Sequence, residues 1–392
     1  MSLAPPLSAY IHFPWCVKKC PYCDFNSFTL RDELPERAYV DALKQDIDAQ
    51  HEELEGRPIV SVFLGGGTPS LFSPQAIADV LAHLHRVLPL APDAEVTLEA
   101  NPATVERGRF AEYRAAGVTR VSLGAQSFDP AILKVLGRIH VPEDVTRSAE
   151  ELHASSLSNF NLDLMFALPN QTVEGALGDL RSALALEPAH LSHYQLTMEP
   201  GTVFGGLPPE GLPDDDTAWT MQDACHAELA ERGFAQYEVS AFARAGRRCA
   251  HNLNYWQFGD YLGIGAGAHG KLTWPQYGRV LRTTQAREPR RYLAAPVEGL
   301  TRRDVPLQDL PFEYAMNALR LVEGFSTLDF VARTGLPAAA IEAPLQGLAG
   351  RGLVESTDEG WRTTPLGFRF LNDVLEAFLS SSIHSGSVAT EY

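Results

Sequence analysis

The feature that most constrains the fold of this chain is an alternation of short apolar segments with amphipathic segments through its N-terminal half. The apolar segments are typical of buried parallel strands, and the segments between them carry helical periodicity. The predicted strands are Leu7–Phe13, Ile59–Leu64, Glu95–Ala100, Val118–Gly124, Phe160–Leu168 and His190–Met198. About six strand–helix units predict an α/β fold with a parallel sheet, either doubly wound or rolled into a barrel. Six units rather than eight indicate a partial barrel that is open on one side.

The chain has 392 residues, which exceeds one ordinary domain and suits a large domain with a smaller one. The predicted regions are a partial barrel (1–235), a linking region (236–306), a winged-helix-like helical domain (307–379) and a disordered tail (380–392). The net charge of −17 opposes non-specific nucleic-acid binding, because phosphates repel an acidic surface. We therefore expect the C-terminal domain to be a structural cap, with no nucleic acid as partner.

Cysteine usage and hydropathy indicate the compartment. Five cysteines, three of them clustered, argue against a disulfide framework and for a reducing environment. No apolar run approaches the ~18–20 residues that span a bilayer, and the N-terminus lacks the pattern of a signal peptide. We expect a cytoplasmic protein.

Three of the five cysteines lie within eight residues, at Cys16, Cys20 and Cys23, with the spacing C-x3-C-x2-C. Pro14 and Pro21 exclude a regular helix through the thiols, so a loop leaving the first strand must carry them. Such a loop can fold three thiolates around one small centre. Soft thiolates favour iron–sulfur clusters, zinc or copper(I).

Chemistry alone leaves three interpretations of this cysteine motif. The thiols can be unrelated buried side chains. They can bind zinc, together with His12 or another histidine as the fourth ligand. They can also hold three irons of a cubane [4Fe–4S] cluster, which leaves the fourth iron open for a small molecule. Tyr22, next to the last thiolate, would then shield the cluster.

Polar residues gather where the predicted strands end. The glycines of the turn 65–69 let the backbone approach a ligand closely, so that N–H groups can hold a carboxylate or phosphate. Glu99, Gln126 and Asp163 lie in or after three further strands. Because parallel strands end at one edge of a sheet, these side chains predict a polar ring for a zwitterionic, ribose-bearing ligand. Taken singly, the glycine segment is more often an ordinary turn, and each polar residue is equally compatible with a helix cap.

Several stretches together resemble one family. The segment YIHFPWCVKKCPYCDFNS is similar to the signature of the radical S-adenosylmethionine (radical SAM) family. Further matches extend over nearly the whole chain: LGGGTPS, LEANP, SLGAQSF, NLDLMFALPNQT, YQLTMEPGT, HNLNYW and GIGAGAHG. Within that family the chain resembles the coproporphyrinogen III dehydrogenase-like group, specifically its heme-chaperone branch. The resemblance implies a partial (β/α)6 barrel with a C-terminal helical domain, a [4Fe–4S] cluster and S-adenosylmethionine.

The resemblance also implies roles for individual residues. It implies that Cys16, Cys20 and Cys23 ligate the cluster, whose open iron takes S-adenosylmethionine. The implied contacts to this nucleotide are Tyr10, Tyr22, Gly66, Gly67, Thr68 and Glu99. The dehydrogenases bind a second S-adenosylmethionine, whose matching positions here are Gln126, Arg138 and Asp163, with Thr197 and His269 as later contacts.

One position departs from the dehydrogenases. They carry a further cysteine two residues after the third, where this chain has Phe25. The departure fits the heme-chaperone branch, and we expect the chain to lack porphyrinogen decarboxylation. Two alternatives remain open. One is a radical SAM enzyme acting as an oxygen-independent coproporphyrinogen III dehydrogenase by oxidative decarboxylation, and the other is a zinc-stabilised binding module.

A second motif, HNLNYW at residues 251–256, resembles the heme-binding signature HNxxYW of the chaperone branch. An imidazole can ligate heme iron axially, and aromatic rings can pack on the porphyrin face. The implied heme residues are His251, Asn252, Tyr255 and Trp256, with Cys249 as an alternative thiolate ligand. The alternative is structural: His251 and Asn252 hydrogen-bond a loop, and Trp256 belongs to the core.

The resemblance therefore predicts a chaperone that binds heme and transfers it to an acceptor protein. In this interpretation the cluster governs heme transfer or oligomeric state rather than turnover. The acceptor can be a membrane-associated protein, and the oligomeric state can depend on the cluster.

Overall fold

The structure is a computed structural model that describes residues 4–54, 56–102 and 109–379. The tail 380–392, predicted to be disordered, lies outside these described residues. The strands are β1 (Leu7–Phe13), β2 (Trp15–Cys16), β3 (Phe28–Thr29), β4 (Ile59–Gly66), β5 (Leu90–Ala100), β6 (Arg120–Gln126), β7 (Phe160–Phe166), β8 (His190–Gln195), β9 (Ala235–Glu238), β10 (Ala241–Ala243), β11 (Asp260–Ile264), β12 (His269–Trp274), β13 (Arg279–Thr284), β14 (Thr301–Asp304), β15 (Phe325–Ser326), β16 (Val354–Ser356) and β17 (Gly360–Thr363).

Helices follow most strands of the N-terminal half and dominate the C-terminal part. They are α1 (Glu36–Gln50), α2 (Pro74–Val87), α3 (Phe110–Ala115), α4 (Pro130–Val135), α5 (Pro142–Ala154), α6 (Val173–Ala185), α7 (Val203–Gly206), α8 (Asp215–Glu231), α9 (Ala250–Trp256), α10 (Pro289–Ala294), α11 (Leu310–Ala318), α12 (Thr327–Thr334), α13 (Ala339–Gly350), α14 (Pro365–Arg369) and α15 (Leu371–Glu376). Among the described helices, none combines the length and the apolar character needed to cross a bilayer.

Twelve strands form one sheet in the order β14-β13-β12-β11-β1-β4-β5-β6-β7-β8-β10-β9. The strands from β11 to β8 run parallel, whereas the additions at both ends are antiparallel. The outermost strands β14 and β9 do not pair with each other within the described residues, so the sheet is not closed into a full barrel. The predicted α/β fold with an open, partial barrel is confirmed.

The parallel part of the sheet contains one strand more than the sequence pattern indicates. β11 pairs with β1 on the side opposite to β4. It comes from residues 236–306, the predicted linking region, which also supplies β10 and β12 to β14. Its sequence, DYLGI, begins with a charged residue and contains a glycine, so it lacks the apolar run that indicates a buried strand.

Side chains of β1 alternate between two environments, as the pleat of a strand requires. Leu7, Ile11 and Phe13 are buried in the main hydrophobic core beneath the surrounding helices. Tyr10 and His12 point to the other, inner face of the sheet. The same alternation in neighbouring strands lines the inner face with polar groups and positions the candidate site.

The C-terminal residues build a second hydrophobic core. Helices α11 to α15 pack around the three-stranded sheet β15-β17-β16, and Tyr314, Phe330 and Leu345 are buried between them. This core includes Phe258 and Val280 from the large sheet, so the helical unit packs on the sheet through shared apolar surface. The predicted C-terminal helical region is confirmed.

Candidate cofactor site

The cysteine motif lies on the segment that leaves β1 at the C-terminal edge of the parallel sheet. Its three thiols are free and half-buried. Burial, together with the neighbouring thiols of Cys23 and Cys20, raises the pKa of Cys16 to about 11. Burial also raises the pKa of Cys23. Cys23 N–H donates to the Cys20 carbonyl at 3.2 Å, so a tight turn brings these two cysteines together.

The donor set fits the predicted cluster in its chemistry. Three soft sulfur donors on one loop suit an iron–sulfur cluster, in which each thiolate binds its own iron. A bound cation also removes the thiol protons that the raised pKa values retain at neutral pH. In the described part of the chain, no three His, Cys, Asp or Glu side chains are gathered closely enough to share a single metal ion.

His12, the candidate fourth zinc ligand, already has partners at both ring nitrogens. Its Nδ1 lies 3.0 Å from the Tyr10 hydroxyl, and its Nε2 lies 2.9 Å from the Asn26 carbonyl oxygen. Burial lowers its pKa to about 4, so the ring is neutral. The Asn26 amide donates to the carbonyls of Ala266 and Arg287, at 3.0 and 2.9 Å. His12 and Asn26 thus tie the cysteine loop to β1 and to the turn after β11.

Arg138 places a positive charge beside the second cysteine. Its guanidinium donates to Cys20 Sγ at 3.7 Å and to the Gly124 carbonyl at 2.7 Å. The Nε atom is buried and has no hydrogen-bond partner among the described residues. One donor of Arg138 therefore remains for the carboxylate of a ligand.

The glycine turn is tied to the segment that carries the first cysteine. Gly67 N–H donates to the Phe13 carbonyl at 2.7 Å, and Thr68 N–H donates to the Trp15 carbonyl at 2.8 Å. Gly66 N–H donates to Glu99 Oε2 at 2.9 Å. Protein oxygens therefore accept the hydrogen bonds of all three N–H groups in this structure, and the ligand contacts predicted for Gly66, Gly67 and Thr68 stay predictions. A side chain at Gly66 would clash with the His12 ring and one at Gly67 with the Trp15 carbonyl, so the glycines let the turn pack closely against β1 and the segment that follows it.

Two carboxyl groups face the same space, one near the end of β5 and the other in the middle of β7. Burial, together with the negative charge of Asp163, raises the pKa of Glu99 to about 8. Burial raises the pKa of Asp163 as well, although the Asn161 amide donates to it at 2.8 Å. A cationic ligand between the two groups would stabilise both carboxylates. A sulfonium or ammonium group therefore fits the site.

Gln126 ends β6 in an unusual backbone conformation. Its φ of 68° lies in the left-handed region, which is costly for a residue with a side chain. The Tyr194 hydroxyl donates to Gln126 Oε1 at 2.9 Å and so orients the amide. Sequence reasoning missed Tyr194. The signal was available, because Ser192 and Tyr194 lie at alternate positions of β8 and therefore share one face of the sheet.

The remaining predicted cofactor contacts lie at the same edge. Tyr22 packs against Phe204 with ring centroids 6.5 Å apart, and burial raises its pKa. Thr197 is exposed just after β8. His269 begins β12, which runs antiparallel to β11, so it also lies at the C-terminal edge. His269 is exposed and its Nδ1 lies 3.3 Å from the Thr284 hydroxyl.

The HNLNYW motif forms α9 and lies at the opposite end of β1 and β4, near their first residues. His251 is only 4% exposed, and its Nδ1 lies 3.3 Å from the Ser61 hydroxyl. Its ring contacts Phe63 and Tyr10, with centroids 5.0 and 6.3 Å away. Burial lowers its pKa to about 3, so the imidazole is neutral.

Asn254, which the sequence did not single out, is the buried amide of the motif. Its Nδ2 donates to the Ser8 hydroxyl and to the Asp260 carbonyl, each at 2.9 Å. Asn252, the predicted amide, is half-buried. Helical geometry explains the difference, because residues 251 and 254 share one face of α9 and residue 252 does not.

The other motif side chains are partly accessible. Tyr255 stacks on Tyr261 with centroids 4.1 Å apart, and the Arg320 guanidinium lies 4.3 Å from the Trp256 ring centroid. Cys249 is buried, its Sγ donates to Glu95 Oε1 at 3.4 Å, and burial raises its pKa to about 12. The Cys249 thiol therefore stays protonated at neutral pH in this conformation.

Comparison with known proteins identifies the family. Residues 10–182 match the model of the radical SAM superfamily, and residues 305–370 match the HemN C-terminal domain. The chain is 50% identical over 376 residues to "Heme chaperone HemW" of Escherichia coli (strain K12), covering 96% of this chain and 99% of that one. It belongs to the HemW family of radical SAM proteins. This confirms the resemblance drawn from the motifs.

Other HemW relatives match over similar lengths. The Haemophilus influenzae protein is 46% identical over 385 residues, and the match covers 97% of this chain and 100% of that one. The Bacillus subtilis protein is 33% identical over 381 residues, covering 95% and 99% of the two chains. Membership in the radical SAM family implies a [4Fe–4S] cluster and S-adenosylmethionine.

A solved structure shows the same fold as this HemW-family chain. It is described as "Coproporphyrinogen III oxidase (HemN) from Escherichia coli is a Radical SAM enzyme", and it superposes with a TM-score of 0.81. The match covers 96% of this chain and 91% of that one. Because the two sequences are only 23% identical, this similarity concerns the fold alone.

Proposed function

We propose that this protein is a heme chaperone, which binds heme and transfers it to an acceptor protein while carrying a [4Fe–4S] cluster and S-adenosylmethionine. The observation that carries the proposal is the 50% identity, over nearly the full length of both chains, to a protein named heme chaperone. Phe25, which stands where the dehydrogenases have a further cysteine, supports the same choice.

In this proposal Cys16, Cys20 and Cys23 hold the cluster, which when bound supplies one-electron chemistry and an open iron. Glu99 and Asp163 offer negative charge to the sulfonium and ammonium groups of the nucleotide, and Arg138 offers its unpaired Nε–H to a carboxylate. The further contacts proposed for one or two nucleotides are Tyr10, Tyr22, Gly66, Gly67, Thr68, Gln126, Thr197 and His269.

Heme is proposed to bind at α9 through His251, with Asn252, Tyr255 and Trp256 around the macrocycle. The neutral imidazole of His251 is the protonation state that ligates iron. Because this side chain is only 4% exposed, heme ligation requires α9 to move away from Ser61 and Phe63. Heme uptake is therefore coupled to opening of the inner face of the sheet.

Tyr10 connects the two proposed sites. Its ring contacts His251, and its hydroxyl lies 3.0 Å from His12, which is joined to the cysteine loop through Asn26. Movement of α9 removes one packing partner of Tyr10. This contact offers a physical route by which cluster and nucleotide can influence heme transfer.

The test uses protein reconstituted anaerobically with iron and sulfide. We expect one heme to bind per chain, and we expect heme to pass from the loaded protein to apomyoglobin, used as a probe acceptor. Sedimentation of cluster-free and cluster-loaded samples measures any change of oligomeric state. Conversion of coproporphyrinogen III to protoporphyrinogen IX, coupled to 5′-deoxyadenosine formation, would contradict the proposal. Zinc in place of iron and acid-labile sulfide would contradict it as well.

The heme residues are tested by His251→Ala, with Cys249→Ser, at the residue that precedes α9, as the matched control. We expect His251→Ala to weaken heme binding by about tenfold or more, which is about 1.4 kcal/mol. Cys249→Ser should retain the wild-type affinity, because its protonated thiol is not the ligand. Equal affinities of His251→Ala and wild type, with unchanged melting temperature, would remove His251 from the heme site.

A further inference from the structure

Two buried hydrogen-bond donors meet where α9 ends, and neither has an acceptor among the described residues. They are Nε1 of Trp256, the last residue of α9, and Nε of Arg320, which follows α11 of the C-terminal unit. The guanidinium carbon of Arg320 lies 4.3 Å from the centroid of the Trp256 ring. We call this stacked pair, Trp256 and Arg320, the α9 seam. Buried indole and guanidinium N–H groups usually have acceptors, so two such donors together indicate a site for a group that supplies acceptors.

The position of Arg320 is fixed by the edge of the large sheet. Its Nη2 donates to Glu238 Oε2 at 3.1 Å, and Glu238 is only 2% exposed. Leu321 forms an antiparallel bridge with Glu238, and Val322 N–H donates to the Tyr237 carbonyl at 3.1 Å. The backbone that follows α11 is therefore held against β9, and it presents the Arg320 guanidinium to the Trp256 ring.

The ion pair with Glu238 does not use all the donors of Arg320. Ser240 also donates to Glu238 Oε1, through its N–H at 3.2 Å and its hydroxyl at 2.9 Å, so this carboxylate has other partners. A guanidinium carries five N–H donors in a planar fork and can bind two carboxylates at once. The Nε–H of Arg320 is therefore suited to a second carboxylate, which the described residues do not supply.

A second stack of arginine on tryptophan, at the other edge of the large sheet, shows the same arrangement with its carboxylate in place. The guanidinium carbon of Arg279 lies 5.0 Å from the Trp274 ring centroid, and Arg279 Nε donates to Asp304 at 2.7 Å. We call this pair the completed stack. The equivalent Nε donor of the α9 seam has no such partner, so the two stacks differ by one carboxylate.

The α9 seam borders the accessible face of the proposed heme helix. Asn252 and Trp256 lie one turn apart on α9 and are half-buried, whereas His251 and Asn254 are buried against the sheet. The Arg320 side chain is 28% exposed, so rotation of this side chain brings its Nε–H to the surface. A ligand can therefore reach the seam from solvent while α9 still packs on β1 and β4.

We propose that the α9 seam binds one propionate carboxylate of heme, and that this contact forms before the iron reaches His251. The inference rests on the proposed function, because it specifies which group of the heme this chain recognises. A carboxylate offers acceptors only, and arginine binds it through charge-assisted hydrogen bonds. His251 and Trp256 are five residues apart, about 7.5 Å along a helix, which is comparable to the distance from heme iron to a propionate. One heme can therefore contact both.

The experiment measures the Kd of heme and of heme dimethyl ester, whose two propionates are esterified, for the cluster-loaded protein by absorbance titration in the same detergent. Wild type should bind heme about tenfold or more tightly than the ester, because the ester offers no charged acceptor. Arg320→Gln should abolish this preference. Trp256→Phe, which keeps an aromatic ring but removes the donor, should reduce it about threefold or more. Arg279→Gln and Trp274→Phe make the same changes in the completed stack and should keep the wild-type preference.

Two measurements separate carboxylate recognition from iron ligation and from damage to the fold. Metal-free protoporphyrin IX carries the same two propionates and no iron, so Arg320→Gln should weaken its binding, whereas His251→Ala should not. Thermal unfolding is followed for every variant, because Arg320→Gln leaves the buried Glu238 carboxylate without its cation. If that variant does not fold, Arg320→Lys replaces it, which keeps a cation beside Glu238 but has no Nε–H and should also lower the preference. Trp256→Phe leaves the ion pair intact.

The propionate site would be overturned if folded Arg320→Gln and Trp256→Phe kept the wild-type preference for heme over its ester. Equal binding of heme and ester by wild type would overturn it as well. An equal loss of preference in Arg279→Gln would also do so, because the effect would then come from surface charge in general. A wild type that binds neither heme nor protoporphyrin IX would instead contradict the proposed function. The failures of the two proposals are thus distinguishable.

Discussion

The two ends of β1 offer opposite environments to a ligand. At the C-terminal end, the thiols are half-buried, the pKa of Glu99 is raised to about 8, and Arg138 keeps one donor without a partner among the described residues. At the N-terminal end, His251 and Asn254 are buried and hydrogen-bonded to neighbouring strands. The first end is prepared for a ligand, whereas the second must open before a ligand can enter.

This difference bears on how a chaperone can both hold and release heme. A site that closes when empty favours release, because the protein regains the contacts of α9 when heme leaves. The gain comes from specific groups, including the hydrogen bonds of Asn254 and the packing of His251 on Phe63. Affinity for heme is lowered by the free energy needed to break them.

We call the C-terminal end of β1, with the cysteines, the open end, and the N-terminal end, with α9, the closed end. The largest expected effect concerns the open end. Replacing Cys16, Cys20 or Cys23 by Ala should abolish stable incorporation of iron and sulfide, because two thiolates remain for a cluster that needs three. Cys225→Ala, a change to a buried cysteine in α8, is the matched control and should keep the wild-type content. Iron and acid-labile sulfide analysis after anaerobic reconstitution measures the result. Full iron content in Cys20→Ala would show that this cysteine is not a ligand.

The closed end should respond in stability rather than in metal content. Asn254→Ala leaves the Asp260 carbonyl and the Ser8 hydroxyl without their amide donor, so it should lower the free energy of unfolding by about 2 kcal/mol. Asn252→Ala should change it by less than about 0.5 kcal/mol, since that side chain is half-buried. Urea denaturation compares the two variants. Equal losses of stability in the two variants would contradict the claim that Asn254, and not Asn252, stabilises the packing of α9.

The carboxyl groups of the open end predict a pH-dependent affinity for S-adenosylmethionine. Glu99 has a raised pKa of about 8, so it is largely protonated below pH 8 and must lose its proton to pair with a cation. Affinity should therefore rise as pH increases, by up to about tenfold per unit below pH 8, and level off above it. Isothermal titration calorimetry in buffers of different ionisation enthalpy detects the released proton. Glu99→Gln should bind more weakly but with a flatter pH dependence, and an unchanged slope would exclude Glu99 as the titrating group.

The smallest effect is expected at Phe25, the position that separates this chain from the dehydrogenases. Its side chain is 56% exposed, so Phe25→Ser should change the free energy of unfolding by less than about 0.5 kcal/mol. Iron and sulfide content should stay at the wild-type level, because Phe25 contributes no ligand. A loss of iron and sulfide in Phe25→Ser would show that cluster binding at the open end depends on the packing of Phe25.

Local sequence patterns were sufficient for most of the sheet and for the cysteine loop. Strands such as Ile59–Gly66 begin with a mostly apolar run, and Pro14 and Pro21 exclude a helix through the thiols. Local patterns were insufficient to predict β11, whose five residues include Asp260 and Gly263. A short strand of this composition is stabilised by its neighbours, which the local pattern does not contain.

Site details that depend on distant residues could not be predicted. Asn254 is buried because Ser8, 246 positions earlier in the chain, accepts its hydrogen bond. The N–H groups of Gly67 and Thr68 are occupied by carbonyls of Phe13 and Trp15, which only the packing of β4 against β1 brings into reach. Periodicity and spacing indicate which residues share an edge of the sheet. They do not indicate which of those residues already have partners.

Hydrogen–deuterium exchange of α9, with and without one equivalent of heme, tests the central claim most directly. A seven-residue helix is unstable alone in water, so its amides are protected mainly by packing on β1 and β4. If heme binds at His251 by displacing α9, exchange of residues 250–256 should become faster when heme is bound. Unchanged exchange of this segment in a stoichiometric heme complex would contradict a heme site at the closed end of the sheet.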